Sequence, residues 1–280
     1  MIHNKESIPC IIGSTIGMAG SLIFIIVYTF IKEIRDSARK FILILAIYDF
    51  LLGFFAILPG HVSSGLCKVQ AIFLSFVFVG ACCFIFLVSL VFYLKICHGK
   101  NVDESKTFFI VGNIIGSFVA LIAAVMSISF GEVGTGYTHW CWIRSSRLEA
   151  VDYSIVWIVL LGTVILYTLL YLKIRKEKKY SKSFHYKIFV LGWIYLLTEL
   201  FTSIKRARQI INPDAKDNLF LDVMQSLTVP MLGLWDAVFF VFADKNVRSF
   251  IYLRLKKRNY EELKGSNLED SKMIEFTIHN

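Results

Sequence analysis

Charge is scarce in this chain. Of its 280 residues 18% are Asp, Glu, Lys or Arg while 56% are hydrophobic. A soluble domain of this length could not cover so much apolar surface with polar atoms, so an ordinary water-soluble fold is excluded. Also missing are metal-ligand spacings, a nucleophile elbow and a phosphate-binding glycine loop, and the 6 histidines are scattered. An enzyme, a cofactor and a metal centre are therefore not expected. No internal repeat relates two halves of the chain, as it does in many transporters.

What is present instead is long apolar runs. A spanning helix needs about 20 mostly apolar residues, because the bilayer core is roughly 30 Å thick and a helix rises about 1.5 Å per residue. Seven stretches qualify when bounded by their nearest charges: Ser7 to Ile31, between Lys40 and Lys68, Val69 to Leu94, Thr107 to Gly131, Tyr153 to Leu172, between Lys187 and Lys205, and between Asp222 and Asp244. A cleavable signal peptide is the rival reading of the first. Its run is too long for that and ends in "FIKEIRD" rather than a small-residue cleavage site. The expected fold is an all-α membrane protein, a seven-transmembrane helix bundle over residues 1–260 that includes a short amphipathic cytoplasmic helix after the seventh span. Residues 261–280 read as a disordered cytoplasmic tail.

Lys and Arg set the orientation. The connections after spans one, three and five, with the C-terminal tail, hold 22 of the 30, against 8 on the other side. The richer side is expected to be cytoplasmic, with the N-terminus outside at the plasma membrane. The formal charge of +9 is then mostly topological, with attraction to anionic inner-leaflet lipid added. Nucleic acid is not implied.

In that orientation "GYTHWCWI" (Gly136 to Ile143) falls in the second extracellular loop, where a disulfide can form and persist. Cys82 and Cys83 lie mid-membrane, Cys97 at the cytoplasmic end of span three and Cys10 near the outer end of span one. Cys67, opening span three, is the best-placed partner for Cys141, and such a bridge would pin the loop over the bundle with Trp140 and Trp142 as walls. An unpaired thiol in an aromatic interfacial belt is the alternative.

Seven spans, an outside N-terminus and a loop cysteine bridged to the top of span three together resemble a G-protein-coupled receptor, over about Ile8 to Tyr252. Cys67 with Gln70 one turn on, "WCWI" in the loop and "GLWDAVFF" near the end look most like the cyclic-AMP receptor-like group of slime moulds and protists. "LAIYD" (Leu45 to Asp49) also resembles a rhodopsin-like motif. Asp236 stands where Asn is usual, Ser21 where rhodopsin-like receptors carry Asn, and "FYLKICHG" lacks the acidic-Arg-Tyr motif. The resemblance implies an extracellular small-molecule ligand and a heterotrimeric G protein as partners, besides membrane lipids.

Three carboxylates fall inside the spans, Asp49, Glu199 and Asp236, each costing about 2.5–3.5 kcal/mol or more if charged and facing lipid. In a receptor fold Asp49 and Asp236 approach each other, with Ser21 nearby, as a sodium or proton site or as a polar tie between helices. Glu199 would pair with Lys205 or Lys68, or bind a cationic ligand group. Lys68, Arg144, Arg147, Lys205, Arg206 and Arg208 form a basic rim that would attract an anionic ligand, or are snorkelling anchors. The candidate ligand-binding set is Lys68, Gln70, Trp142, Glu199 and Lys205.

Pro230 in "TVPMLGLWD" should kink span seven, with Gly233 easing close packing. On the cytoplasmic side, Phe250, Ile251 and Leu255 beside Arg248, Lys256, Lys257 and Arg258 suggest the amphipathic helix. Ser266, Ser271 and Thr277 among acidic residues are candidate phosphorylation sites. A retinal protein is disfavoured because span seven contains no lysine for a Schiff base. The alternative to a receptor is a seven-span solute transporter or channel.

Overall fold

The computed structural model describes residues 3–32, 35, 37–59, 64–99, 106–130, 133–135, 140–143, 146–176, 182–212, 218–242, 247–249 and 252. The amphipathic helix expected around Phe250, Ile251 and Leu255, the tail with Ser266, Ser271 and Thr277, Arg144, and the side chain of Arg147 lie outside them.

Apolar runs become helices because a chain in hydrocarbon must satisfy its backbone groups internally. The helices are α1 (His3–Phe30), α2 (Ser37–Ile57), α3 (Ser64–Cys97), α4 (Lys106–Phe130), α5 (Ser146–Lys176), α6 (Lys182–Ile211), α7 (Leu219–Thr228) and α8 (Leu232–Ala237). Two short strands, β1 (Val133–Thr135) and β2 (Cys141–Ile143), lie between α4 and α5. Among the described residues five helices are long and apolar enough to cross a membrane, or six if the bent pair Leu219–Thr228 and Leu232–Phe242 is one span. The chain is thus an all-α membrane protein, and α6 is the element outside that count. Charge does not end the helices where the sequence reading ended them. Helix α6 runs on through Lys205, Arg206 and Arg208, which were expected in a loop, and α7 contains Asp222.

Helix α3 is central and packs on α2, α4 and α5. In its most apolar window 72% of residues are buried, against 28% for α4 and for α5. Ile114, Phe118, Ile158 and Leu161 on those two are exposed, as lipid-facing residues would be. Helix α1 packs on α2, α7 and α8, and α6 lies against α5 and α7.

The kink expected at Pro230 is there. Proline has no N–H to donate, and the backbone crosses the gap with tighter i to i−3 bonds: Met231 N to Thr228 O (3.2 Å), Leu232 N to Val229 O (3.4 Å) and Leu234 N to Met231 O (2.9 Å). The two halves meet at 47°, and a π-helical turn, Val238–Phe242, follows directly. This break is seated on α1. A Cβ on Gly17 would run into the Pro230 carbonyl oxygen, one on Gly13 into that of Leu227, and one on Gly233 into Ser21 Oγ. Backbones can touch here only because the side chains are missing.

Candidate functional site

The end of the bundle that holds the start of α3 and the end of α6 carries a roof. Cys67 and Cys141 are joined in a disulfide, with Cα atoms 5.3 Å apart. Strand β2 pairs antiparallel with β1, Thr135 opposite Cys141 and Val133 opposite Ile143. Gln70, one turn after Cys67, locks the roof in place. Its Nε2 donates to Phe55 O (2.8 Å) and Leu58 O (2.6 Å), and its Oε1 accepts from Cys141 N (3.0 Å). All three partners are backbone groups, so Gln70 acts here as a tie between α2, α3 and β2 rather than as a ligand contact.

Under the roof lies a small cavity of about 20 Å³, room for a single water. Phe78, Trp140, Trp142 and Tyr153 form its aromatic walls, while Thr202 of α6 and Gln225 of α7 give it polar groups. Pro230 also lines it, which places the helix break at the cavity wall. Trp142 meets Phe78 edge-on, with ring centroids 6.2 Å apart.

Among the described residues the basic rim divides into two buried, engaged cations and two exposed ones. Lys205 is buried and its Nζ lies 2.6 Å from Asp222 Oδ1. That is not the expected pairing with Glu199, because α7 brings Asp222 to the same level. Arg206 is also buried. Its guanidinium lies 5.8 Å from the Trp142 ring centroid and 5.7 Å from that of Tyr153, and Nη1 donates to Gln209 Oε1 (2.9 Å). Lys68 and Arg208 are exposed. Asp152, at the start of α5, is buried and accepts from Ser75 Oγ (3.1 Å).

Deeper in the bundle the intramembrane carboxylates meet. Asp49 of α2 lies against Asp236 of α8, carboxyl to carboxyl. Such a contact has a hydrogen bond only if one of the pair carries a proton. Tyr195 of α6 donates its hydroxyl to Asp236 Oδ1 (2.8 Å). Ser21 is buried against Gly233, one turn from Asp236, and Glu199 lies within electrostatic range of Asp49.

These groups belong to one seam. On α6, Tyr195, Thr198, Glu199, Thr202, Lys205 and Arg206 are all buried, at the three- and four-residue spacing of one helix face. Facing them are Asp222 and Gln225 of α7 and Asp236 of α8, also buried; Ser226 of α7 is buried as well. Thr228 Oγ1 donates to Thr198 O (3.2 Å). Yet Glu199 Oε1 and Oε2, Thr202 Oγ1, Gln225 Oε1 and Ser226 Oγ have no hydrogen-bond partner among the described residues. Buried polar groups left unpaired are costly, roughly 1–3 kcal/mol each. Sequence reading singled out Glu199 and Asp236 by charge. It missed Thr202, Gln225 and Ser226, whose signal was a polar stripe at helical spacing opposite a second one.

No family model matches the chain. It is 22% identical to "G-protein coupled receptor 1" of Arabidopsis thaliana over 272 residues, covering 87% of this chain and 79% of that protein. It is 25% identical to "Ascaroside receptor GPR2" of Arthrobotrys oligospora over 175 residues, covering 58% of this chain and 43% of that one. Both relatives are distant and both are named as receptors; this supports a G-protein-coupled-receptor-like family and a receptor role in general terms.

Proposed function

We propose that this chain is a seven-span receptor of the plasma membrane, with its N-terminus outside, that binds an extracellular small ligand beneath the disulfide roof and couples to a heterotrimeric G protein at the opposite end. Helix α6 is the additional span. Its 30 residues make a helix about 45 Å long, and it packs between α5 and α7. The cyclic-AMP receptor-like subgroup is supported by the "WCWI" and "GLWDAVFF" motifs, and neither relative is named for it.

The observation that carries the reading is continuity. The cavity touches Pro230, Thr202 and Gln225, and from those residues a buried polar seam runs to the Asp49, Asp236 and Tyr195 cluster. A ligand that widens so small a cavity must displace the wall that contains the helix break. Ligand binding then favours one arrangement of α6 against α7 over another, which is how a ligand shifts a population. In this reading Asp49 and Asp236, with Ser21 beside them, hold a sodium ion or a shared proton in one arrangement and not in the other.

The test is a second-messenger response in cells that express the chain, screened against small anionic metabolites, cyclic nucleotides and small amines. A response that depends on a heterotrimeric G protein is expected. Absence of nucleotide exchange on any G protein supplied would overturn the receptor reading.

A further inference from the structure

We propose that the polar seam along α6 where it meets α7 is a binding site for a protonated amine, with Glu199 as its counter-ion and Thr202 and Gln225 as hydrogen-bond acceptors. The inference rests on the receptor reading of the same cavity and deepens it by naming the chemistry of the ligand.

The sign of charge decides. Counted along the sequence, the outer ends of the spans are basic and point to an anion. Counted by burial, they are not. The described buried cations are Lys205 and Arg206, whereas the buried carboxylates are Asp49, Asp152, Glu199, Asp222 and Asp236. Lys205 is already bonded to Asp222, and Arg206 lies over Trp142 and Tyr153. Past the exposed Lys68 and Arg208, an incoming anion would therefore meet buried cations that have partners, together with an excess of buried carboxyl groups.

Glu199 fits the opposite role. Its side chain is 2% exposed and both of its oxygens lack a hydrogen-bond partner among the described residues. Thr202, one turn along the same face of α6, and Gln225, across the seam, line the cavity, and their oxygens lack partners too. A carboxylate and neutral oxygens with nothing donated to them match an ammonium group, which carries three donors and no acceptor; Trp142 Nε1, a donor in the same wall without a partner among the described residues, can serve one acceptor on the ligand body. The rest of the cavity is apolar and aromatic, with Leu52, Leu74, Phe78 and Tyr153 among its walls. The ligand class is thus an amine on a compact apolar or aromatic body that widens this cavity, its head at Thr202 and Gln225 and directed to Glu199, which lies one turn from Thr202 on α6 outside the present lining.

The probe is a matched trio: benzylammonium, benzyl alcohol and benzoate, added to the purified chain in detergent while its melting temperature is followed. Benzylammonium at about ten times its Kd is expected to raise Tm by about 3 °C, and benzoate is expected not to. In Glu199→Gln the affinity for benzylammonium should fall at least about tenfold, because a charge-assisted bond is lost. Thr202→Val, which keeps the shape of the side chain, should cost about threefold. Stabilisation by benzoate in preference to benzylammonium, equal benzylammonium affinity in wild type and Glu199→Gln, or no stabilisation by benzylammonium at all would each overturn the proposal. The two readings fail separately. Amine binding at Glu199 without nucleotide exchange would sink the receptor and keep the site, whereas G-protein signalling evoked by anions alone would keep the receptor and sink the site.

Discussion

The broken helix formed by α7 and α8 has two faces, and they are built by opposite rules. Toward α1 it is close-packed, since Gly13, Gly17 and Gly233 let backbone lie on backbone at the level of Pro230, with Ser21 Oγ the polar atom beside Gly233. Toward α6 it is polar and loosely satisfied, with Glu199, Thr202 and Gln225 holding oxygens that lack hydrogen-bond partners among the described residues. Close-packed interfaces have one arrangement and resist deformation. A seam of under-satisfied polar groups has several of similar energy and gains from a guest that completes it. One face anchors the helix break and the other can respond.

The largest effect should come from filling the close-packed face. Gly17→Leu would put a side chain where the Pro230 carbonyl oxygen already sits, and overpacking of even one or two methylenes costs about 1–3 kcal/mol. A backbone collision costs more, so loss of a monodisperse peak in fluorescence-detected size-exclusion chromatography is expected. A well-folded Gly17→Leu would erase the contrast between the faces.

Next in size is the ion pair on the polar face. Lys205→Met leaves buried Asp222 without its bonded partner, a change that costs about 3–5 kcal/mol. The double variant Lys205→Met with Asp222→Leu should recover most of that, as a chemical melting curve would record. Were Lys205 a ligand contact instead, the single variant would lower potency with little change in stability.

Cys67→Ser removes the bridge that spans 74 residues and should cost about 2–4 kcal/mol. It should also lower surface expression, with Cys141→Ser giving the same loss and the double variant no further one. The smallest effect is a gain. Glu199→Gln replaces an unpartnered buried carboxylate by an amide that can donate to Thr202 or Gln225, and is expected to stabilise the ligand-free chain by about 1 kcal/mol. A loss of stability would mean that Glu199 is already satisfied.

The architecture was legible where one physical rule decides it. Apolar length places the helices, and proline without an N–H places the break at Pro230. The cysteine pair could be narrowed because Cys67 and Cys141 are the two that lie near one end of the bundle, Cys10 aside. The site was less legible because its signals depend on facing partners. Lys205 looked like rim charge until Asp222 of the next helix met it. Gln70 looked like a ligand contact until its three backbone partners were in view. The glycines at positions 13 and 17 show small-residue spacing in the sequence, but nothing there says that Pro230 lies opposite.

The contrast between the two faces is tested most directly by hydrogen–deuterium exchange on the ligand-free chain in a nanodisc, read peptide by peptide. Amides from Thr198 to Arg206, on the helix facing the polar side, are expected to exchange at least about tenfold faster than those from Gly13 to Ser21, on the helix facing the close-packed side, because local opening follows the weaker packing. Equal protection on both faces, or faster exchange along the glycine seam, would contradict a helix break anchored on α1 and responsive toward α6.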